Sequence, residues 1–134
     1  MDKIAPFHDI PFVFQHYAMY YISKRIEIAF AHSLKLNYES KCTRLHGHNG
    51  IVTVYCCSPE LNENGMVTDF SLIKEKVGNA LDHRFLNELV DFNPTAENLA
   101  RYICEQIPNC YKVSFQESEG NVAVYVKDDA PHVL

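Results

Sequence analysis

A chain of 134 residues, 47% of them hydrophobic, with eight Phe, eight Tyr and no Trp, fits one folded domain, and a domain of that size buries roughly two-thirds of the surface its extended chain would expose. The formal net charge of −5 leaves no cationic surplus to neutralise a run of phosphates, which excludes a dedicated nucleic-acid binder, although a few local Lys or Arg suffice for a small anion. The five cysteines, Cys42, Cys56, Cys57, Cys104 and Cys110, are odd in number, lack framework spacing and read as free thiols.

Residues 1–22 form an irregular, aromatic-rich N-terminal extension (Phe7, Phe12, Phe14, Tyr17, Tyr20, Tyr21). Such an arm is expected to lie across apolar surface, its own subunit's or a partner's. Pro6, His8, Asp9, Pro11, Gln15 and His16 interrupt any apolar run there, as a secretory leader would not. No later segment approaches the ~20 apolar residues of a membrane span, so the cytoplasm is the expected compartment and no membrane partner is expected. Residues 23–134 read as a single domain.

From Arg25 to His32, Ile26, Ile28, Phe30 and His32 alternate with Arg25, Glu27, Ala29 and Ala31, the period of two that marks a half-buried strand. This puts His32 on the apolar face. After a polar loop, Gly50–Cys57 reads as a second strand, ended by Ser58-Pro59, and the two are expected to pair antiparallel. Asp69 or Ser71 can cap a helix carrying Phe70, Ile73, Val77 and Leu81, and a second helix starts near Asn93-Pro94-Thr95, carries Leu99, Tyr102, Ile103 and Ile107, and stops at Pro108. Tyr111–Gln116 and Val122–Lys127 flank a Gly- and Asn-containing turn at residues 117–121 and read as a hairpin. The order ββααββ, with helices grouped between strand pairs, indicates an α+β fold with an antiparallel sheet.

His46-Gly47-His48 is the sharpest local feature. Two imidazoles two residues apart on extended backbone project to one side and can share an ion. Taken alone such a pair is usually coincidence. His32 on the core face of the preceding strand supplies a third nitrogen, and three neutral imidazoles suit Zn²⁺ with a fourth position left open, the arrangement of a catalytic site. Cys42 stands four residues before His46. It reads either as a fourth ligand closing a structural site or as a thiolate beside the metal able to remove a proton. His8, His16 and His132 have no such setting and read as surface residues, and Cys56, Cys57, Cys104 and Cys110 as small hydrophobes.

Six strings in register, FAHSL (30–34), KCTRLHGH (41–48), GMVTDF (65–70), LDHRFLN (81–87), PTAEN (94–98) and YKVSFQES…VAVYV (111–126), resemble the 6-pyruvoyltetrahydropterin synthase / 6-carboxytetrahydropterin synthase family over nearly the whole chain after residue 22. The resemblance implies the tunnelling fold, ββααββ subunits joined through their sheets into an oligomeric barrel, as trimers or hexamers with active sites between subunits. It implies zinc ligands at His32, His46 and His48, a catalytic Cys42 assisted by Asp82 and His83, and Glu117 as the carboxylate that anchors the pterin. Thr95 and Glu97 are further candidate pterin contacts. The plainer alternatives are a helix-ending Asp82, a solvated Glu117 in the turn and a helix-capping Thr95.

The implied reaction starts from 7,8-dihydroneopterin triphosphate, with zinc as Lewis acid, Cys42 removing the C1′ proton and His83 returning protons. Two products are known in the family. The three-residue interval between Cys42 and His46 resembles the branch that forms 6-carboxy-5,6,7,8-tetrahydropterin with acetaldehyde for queuosine biosynthesis. The alternatives are 6-pyruvoyltetrahydropterin formation and a non-enzymatic, zinc-stabilised pterin-binding module. Lys24, Arg25, Lys41 and Arg44 are the candidate cations for the triphosphate.

Overall fold

The structure is a computed structural model and describes residues 18–128. Its frame is a pair of thirteen-residue strands, β1 (Tyr20–His32) and β2 (His46–Ser58), antiparallel from Tyr20 opposite Ser58 to His32 opposite His46. The alternation seen in the sequence sets their facing: Ile28, Phe30 and His32 of β1 and Val52, Val54 and Cys56 of β2 are buried on one side. Both strands exceed their expected bounds. β1 takes in Tyr20, Tyr21 and Ile22 from the stretch read as extension, and β2 begins at His46, so the His-Gly-His string is itself strand. Residues 1–17, with His8 and His16, and His132 lie outside the described residues.

The helices cover the buried side. Asp69 caps α1 (Phe70–Lys74) by accepting the Ser71 N–H at 2.8 Å. The helix then continues as a π turn, Glu75–Asn79, in place of one uniform α-helix, while Ile73, Val77 and Leu81 keep their four-residue spacing and stay buried. Thr95 caps α2 (Ala96–Gln106), its Oγ1 accepting the Asn98 N–H at 3.2 Å. Leu99, Ala100, Ile103 and Cys104 of α2 enter the core with Cys110, Val113 and Phe115. Three of the four cysteines read as small hydrophobes, Cys56, Cys104 and Cys110, are core residues, and Cys57 is half-buried.

The remaining strands complete a sheet of order β3-β1-β2-β4-β5. β4 (Cys110–Ser118) and β5 (Asn121–Val126) form the expected hairpin, its turn made by Gly120 at φ +83°. The sheet is mixed where the sequence indicated an antiparallel one: β3, only Arg84–Phe85, runs parallel to β1 at Phe30 and Ala31. The cause is local to the edge of β1, where the Ala29 N–H donates to Asp82 Oδ1 (2.7 Å) and the Ala29 carbonyl accepts the His83 N–H (2.6 Å). Edge groups left open by β2 are thus met by the segment leaving the first helix.

Candidate metal centre

The site sits where β1 ends and β2 begins. The connecting loop is held down by two asparagines: Asn87 bridges the Ser33 N–H and carbonyl at 2.9 and 2.8 Å, and Asn93 does the same for Lys35 at 2.9 Å. Loop geometry is therefore set by side chains from the segment before α2.

His32 is fully buried, and its Nδ1 lies 2.8 Å from the Pro94 carbonyl oxygen. His46 Nδ1 lies 2.7 Å from the Arg44 carbonyl oxygen. A carbonyl only accepts, so both rings carry a proton on Nδ1, and Nε2 is the nitrogen left for a further partner. His48 sits beside them, with ring centroids 5.1 Å from His32 and 4.9 Å from His46. Burial holds the His48 pKa below its ordinary value; His32 and His46 push it the same way and the Glu117 carboxylate opposes them. A neutral imidazole is the form that binds metal. Phe30 walls the site, 5.2 Å from the His32 ring and 5.5 Å from the His48 ring.

Glu117 joins this group. The pairing of β4 with β5 slips between Gln116 and Ser118, leaving Glu117 as the extra residue of a bulge, a device that re-aims a side chain. Its Oε1 lies 2.8 Å from His48 Nε2 and 3.1 Å from His32 Nε2. One ligand atom from each of His32, His46, His48 and Glu117 lies within 4.8 Å of the other three. Yet the Nε2 atoms of His32 and His48 are buried without a hydrogen bond. The His32 Nε2–Glu117 Oε1 contact is favourable with a cation shared between the two atoms, a proton or a metal ion. Three imidazoles and a carboxylate are a donor set that fits zinc, and bonds of ~2.0–2.1 Å would place tetrahedral ligand atoms ~3.3 Å apart. The two separations, 2.8 and 3.1 Å, are shorter than that by about 0.5 and 0.2 Å.

Cys42 lies in a single 3-10 turn, Lys41–Thr43, and donates its N–H to Ser40 Oγ at 3.1 Å. It is a half-buried free thiol outside the ligand group. The fourth donor beside the histidines is thus Glu117, where the sequence offered Cys42. Cys42 lines a cavity of about 540 Å³ with Lys41, Arg44, His46, His48 and Glu117. Lys24 and Arg25 lie seven or eight residues up β1 from His32, ~23–26 Å at ~3.3 Å per residue, with Lys24 over the Phe70 ring and Arg25 paired to Glu27. Of the four candidate cations, only Lys41 and Arg44 border this cavity.

Asp82 and His83 form a pair, Oδ2 to Nδ1 at 3.0 Å. The Ala29 N–H, and after it His83, holds the Asp82 carboxyl below the usual range. His83 is strongly exposed at φ +59°, backbone that non-glycine residues rarely adopt. His83 borders a separate cavity of about 500 Å³ with Ala29, Ala31, His48 and Arg84. Among the described residues, Cys42 and His83 border different cavities. Thr95 spends its oxygen lone pair on the α2 cap, while Glu97 and Glu117 border a third cavity of about 370 Å³. Sequence reasoning did not find Pro94 and Arg44, which act through carbonyls that every residue carries.

Among the described residues no helix is long and apolar enough to cross a membrane. The family model described as 6-pyruvoyl tetrahydropterin synthase matches residues 21–128. A Bacillus subtilis protein named 6-carboxy-5,6,7,8-tetrahydropterin synthase is 28% identical over 128 residues, 83% of this chain and 88% of that protein. A Rickettsia felis protein of the same name is 27% identical over 112 residues, 80% of this chain and 77% of its own length. The solved structure of Caenorhabditis elegans 6-pyruvoyl tetrahydropterin synthase superposes with a TM-score of 0.65 at 25% identity, covering 84% of this chain and 98% of that one. With the match running through every strand of the sheet and both helices, this chain belongs to the 6-pyruvoyl tetrahydropterin synthase family.

Proposed function

We propose that the protein is a zinc-dependent lyase converting 7,8-dihydroneopterin triphosphate and water to 6-carboxy-5,6,7,8-tetrahydropterin, with release of acetaldehyde and triphosphate, in queuosine biosynthesis. The observation that carries this reading is the convergence of His32, His46 and His48, two of them with tautomers fixed by backbone carbonyls, beside a thiol that is not a ligand. His32, His46 and His48 would hold the ion, and zinc, when bound, supplies Lewis-acid stabilisation of negative charge developing on substrate oxygen.

The protein's own groups do the rest. Cys42, as thiolate, removes the C1′ proton. Asp82 takes the Nδ1–H of His83, so that His83 Nε2 faces solvent as the proton carrier. The Glu117 carboxylate accepts the 2-amino and N3 hydrogens of the pterin, and the Thr95 hydroxyl can donate alongside it. Lys41 and Arg44 offer charge to the phosphates. Because Cys42 and His83 open into different cavities, the relay is completed by the Asp82–His83 pair of a second copy. Among the described residues, β1 has a free edge apart from the two residues paired with β3, as does β5, which exposes Val122, Val124 and Val126. Edge-to-edge closure of trimers or hexamers into a barrel satisfies both.

The names of the Bacillus and Rickettsia relatives and the short Cys42–His46 interval favour the carboxy product. The likeness to the nematode structure favours the pyruvoyl product as second reading. Incubation with the triphosphate decides: acetaldehyde with a carboxypterin is expected, and a pyruvoyl pterin without acetaldehyde would reverse the assignment. A chain that holds zinc and binds pterin without turnover would instead be the non-enzymatic module.

A further inference from the structure

We infer that Glu117 is a gate on the metal: in the pterin-free protein its Oε1 is the fourth ligand, and a pterin opens that position by drawing the carboxylate onto its own N–H donors. The inference rests on the pterin reading above for its second half only. Its first half stands on the centre itself.

Oε1 is already seated among the nitrogens, 2.8 Å from His48 Nε2 and 3.1 Å from His32 Nε2, close to the ~3.3 Å edge expected of tetrahedral zinc ligands. With Nδ1 of His32 committed to Pro94, Nε2 is the nitrogen turned to the carboxylate. A dication seated between these atoms would be bound by the carboxylate and the imidazoles together. The bulge at residue 117 gives the backbone reason for this aim, since regular pairing would not single out that residue. A carboxylate also gives the ligand set a negative charge that three neutral imidazoles lack, which favours a dication.

The same side chain is free to leave. Its exposure is 24%, against 1% for the His32 side chain, and it borders both the Cys42 cavity and the one lined by Glu97 and Asn121. Glu117 therefore stands at the junction of two spaces that ligand can fill. A planar ligand with adjacent N–H donors offers the carboxylate two hydrogen bonds in exchange for one metal bond. Water and small anions lack a rigid pair of parallel N–H donors, so the gate selects for pterins before chemistry begins.

The test uses the full-length protein with zinc or cobalt(II), azide as probe of an open coordination position, and 6-methylpterin, which has no side-chain hydroxyl to reach the metal. Competition with a chelator should show zinc affinity at least tenfold weaker in both Glu117→Ala and Glu117→Gln than in the parent. Visible absorption of the cobalt protein should show azide binding at least tenfold tighter after 6-methylpterin is added, and equally tight with or without it in Glu117→Ala. Zinc affinities within twofold of the parent in both variants would overturn the ligand role. If 6-methylpterin quenches fluorescence on binding while azide access stays the same, gating is overturned though ligation stands. If 6-methylpterin does not bind, the pterin reading and the gating fail together, and the zinc titrations and the parent–variant difference in azide affinity still decide ligation. Should Glu117→Ala not fold, Glu117→Gln and the parent protein carry every arm.

Discussion

Gly50 couples the core to the metal centre, and a single methyl group there tests the coupling. A Cβ at this position would lie 2.9 Å from the Gln116 carbonyl oxygen and 2.9 Å from Phe30 Cε1. Ordinary contact needs roughly half an ångström more on both sides. Neither neighbour can withdraw easily: Gln116 is paired to Ile51 in the β2–β4 ladder, and the Phe30 ring is packed against His32, His48 and Phe115. Overpacking of this kind costs about 1–3 kcal/mol, or a fall in Tm of roughly 3–5 °C for each kcal/mol in a domain of this size. Relief by sliding β4 would carry the Glu117 bulge with it, so zinc affinity should drop as well. Gly78→Ala is the control, since its Cβ meets Ile26 and Lys74 only at 3.6 Å. In that helical setting the added methyl should stabilise by about 0.4–1 kcal/mol. Urea midpoints of the metal-free proteins, at one fixed protein concentration because assembly shifts apparent stability, should move in opposite directions. A Gly50→Ala protein as stable as the parent would refute the steric reasoning.

Removing ligands should separate metal loss from fold loss. His46→Ala and His32→Ala should both lose zinc on dialysis, but only His32→Ala, which also strands the buried Pro94 carbonyl, should destabilise the metal-free protein, by about 1–3 kcal/mol in urea titration. Cys42→Ala should keep zinc within twofold by metal analysis and lose at least ~10²-fold in turnover; lost zinc would make the thiol a ligand. The Asp82 carboxyl is held below its ordinary pKa, so the stability it supplies is complete above the unfolded value of about 3.9 and is lost as pH falls through the folded one. The gap in urea midpoint between the parent and Asp82→Asn should therefore be constant near neutrality and close below pH ~4. Thr95→Ala removes the α2 cap and should cost about 1 kcal/mol, read as a lower thermal midpoint.

Local patterns in the chain carried much of this protein. The alternation through Ile26, Ile28, Phe30 and His32 set the face of β1 and with it the burial of His32; Asp69, Thr95 and Pro108 marked helix ends; and the His-Gly-His spacing placed two imidazoles on one side of a strand. These are short-range codes, written in residue types a few positions apart. Tertiary structure alone decided that the β1–β2 register sets His32 opposite His46 and Phe30 opposite His48, and that Asp82 and His83 fasten a parallel strand to the edge of β1. It also decided that the carbonyls of Pro94 and Arg44 fix the imidazole tautomers, and that a bulge turns Glu117 toward the metal ligands while Cys42 stays outside them. Carbonyls are common to all residues and a bulge exists only between two paired strands, so neither leaves a mark in the sequence. Which histidines could share an ion was legible from spacing; which ring nitrogen of each is left to do so depended on partners up to 62 positions away.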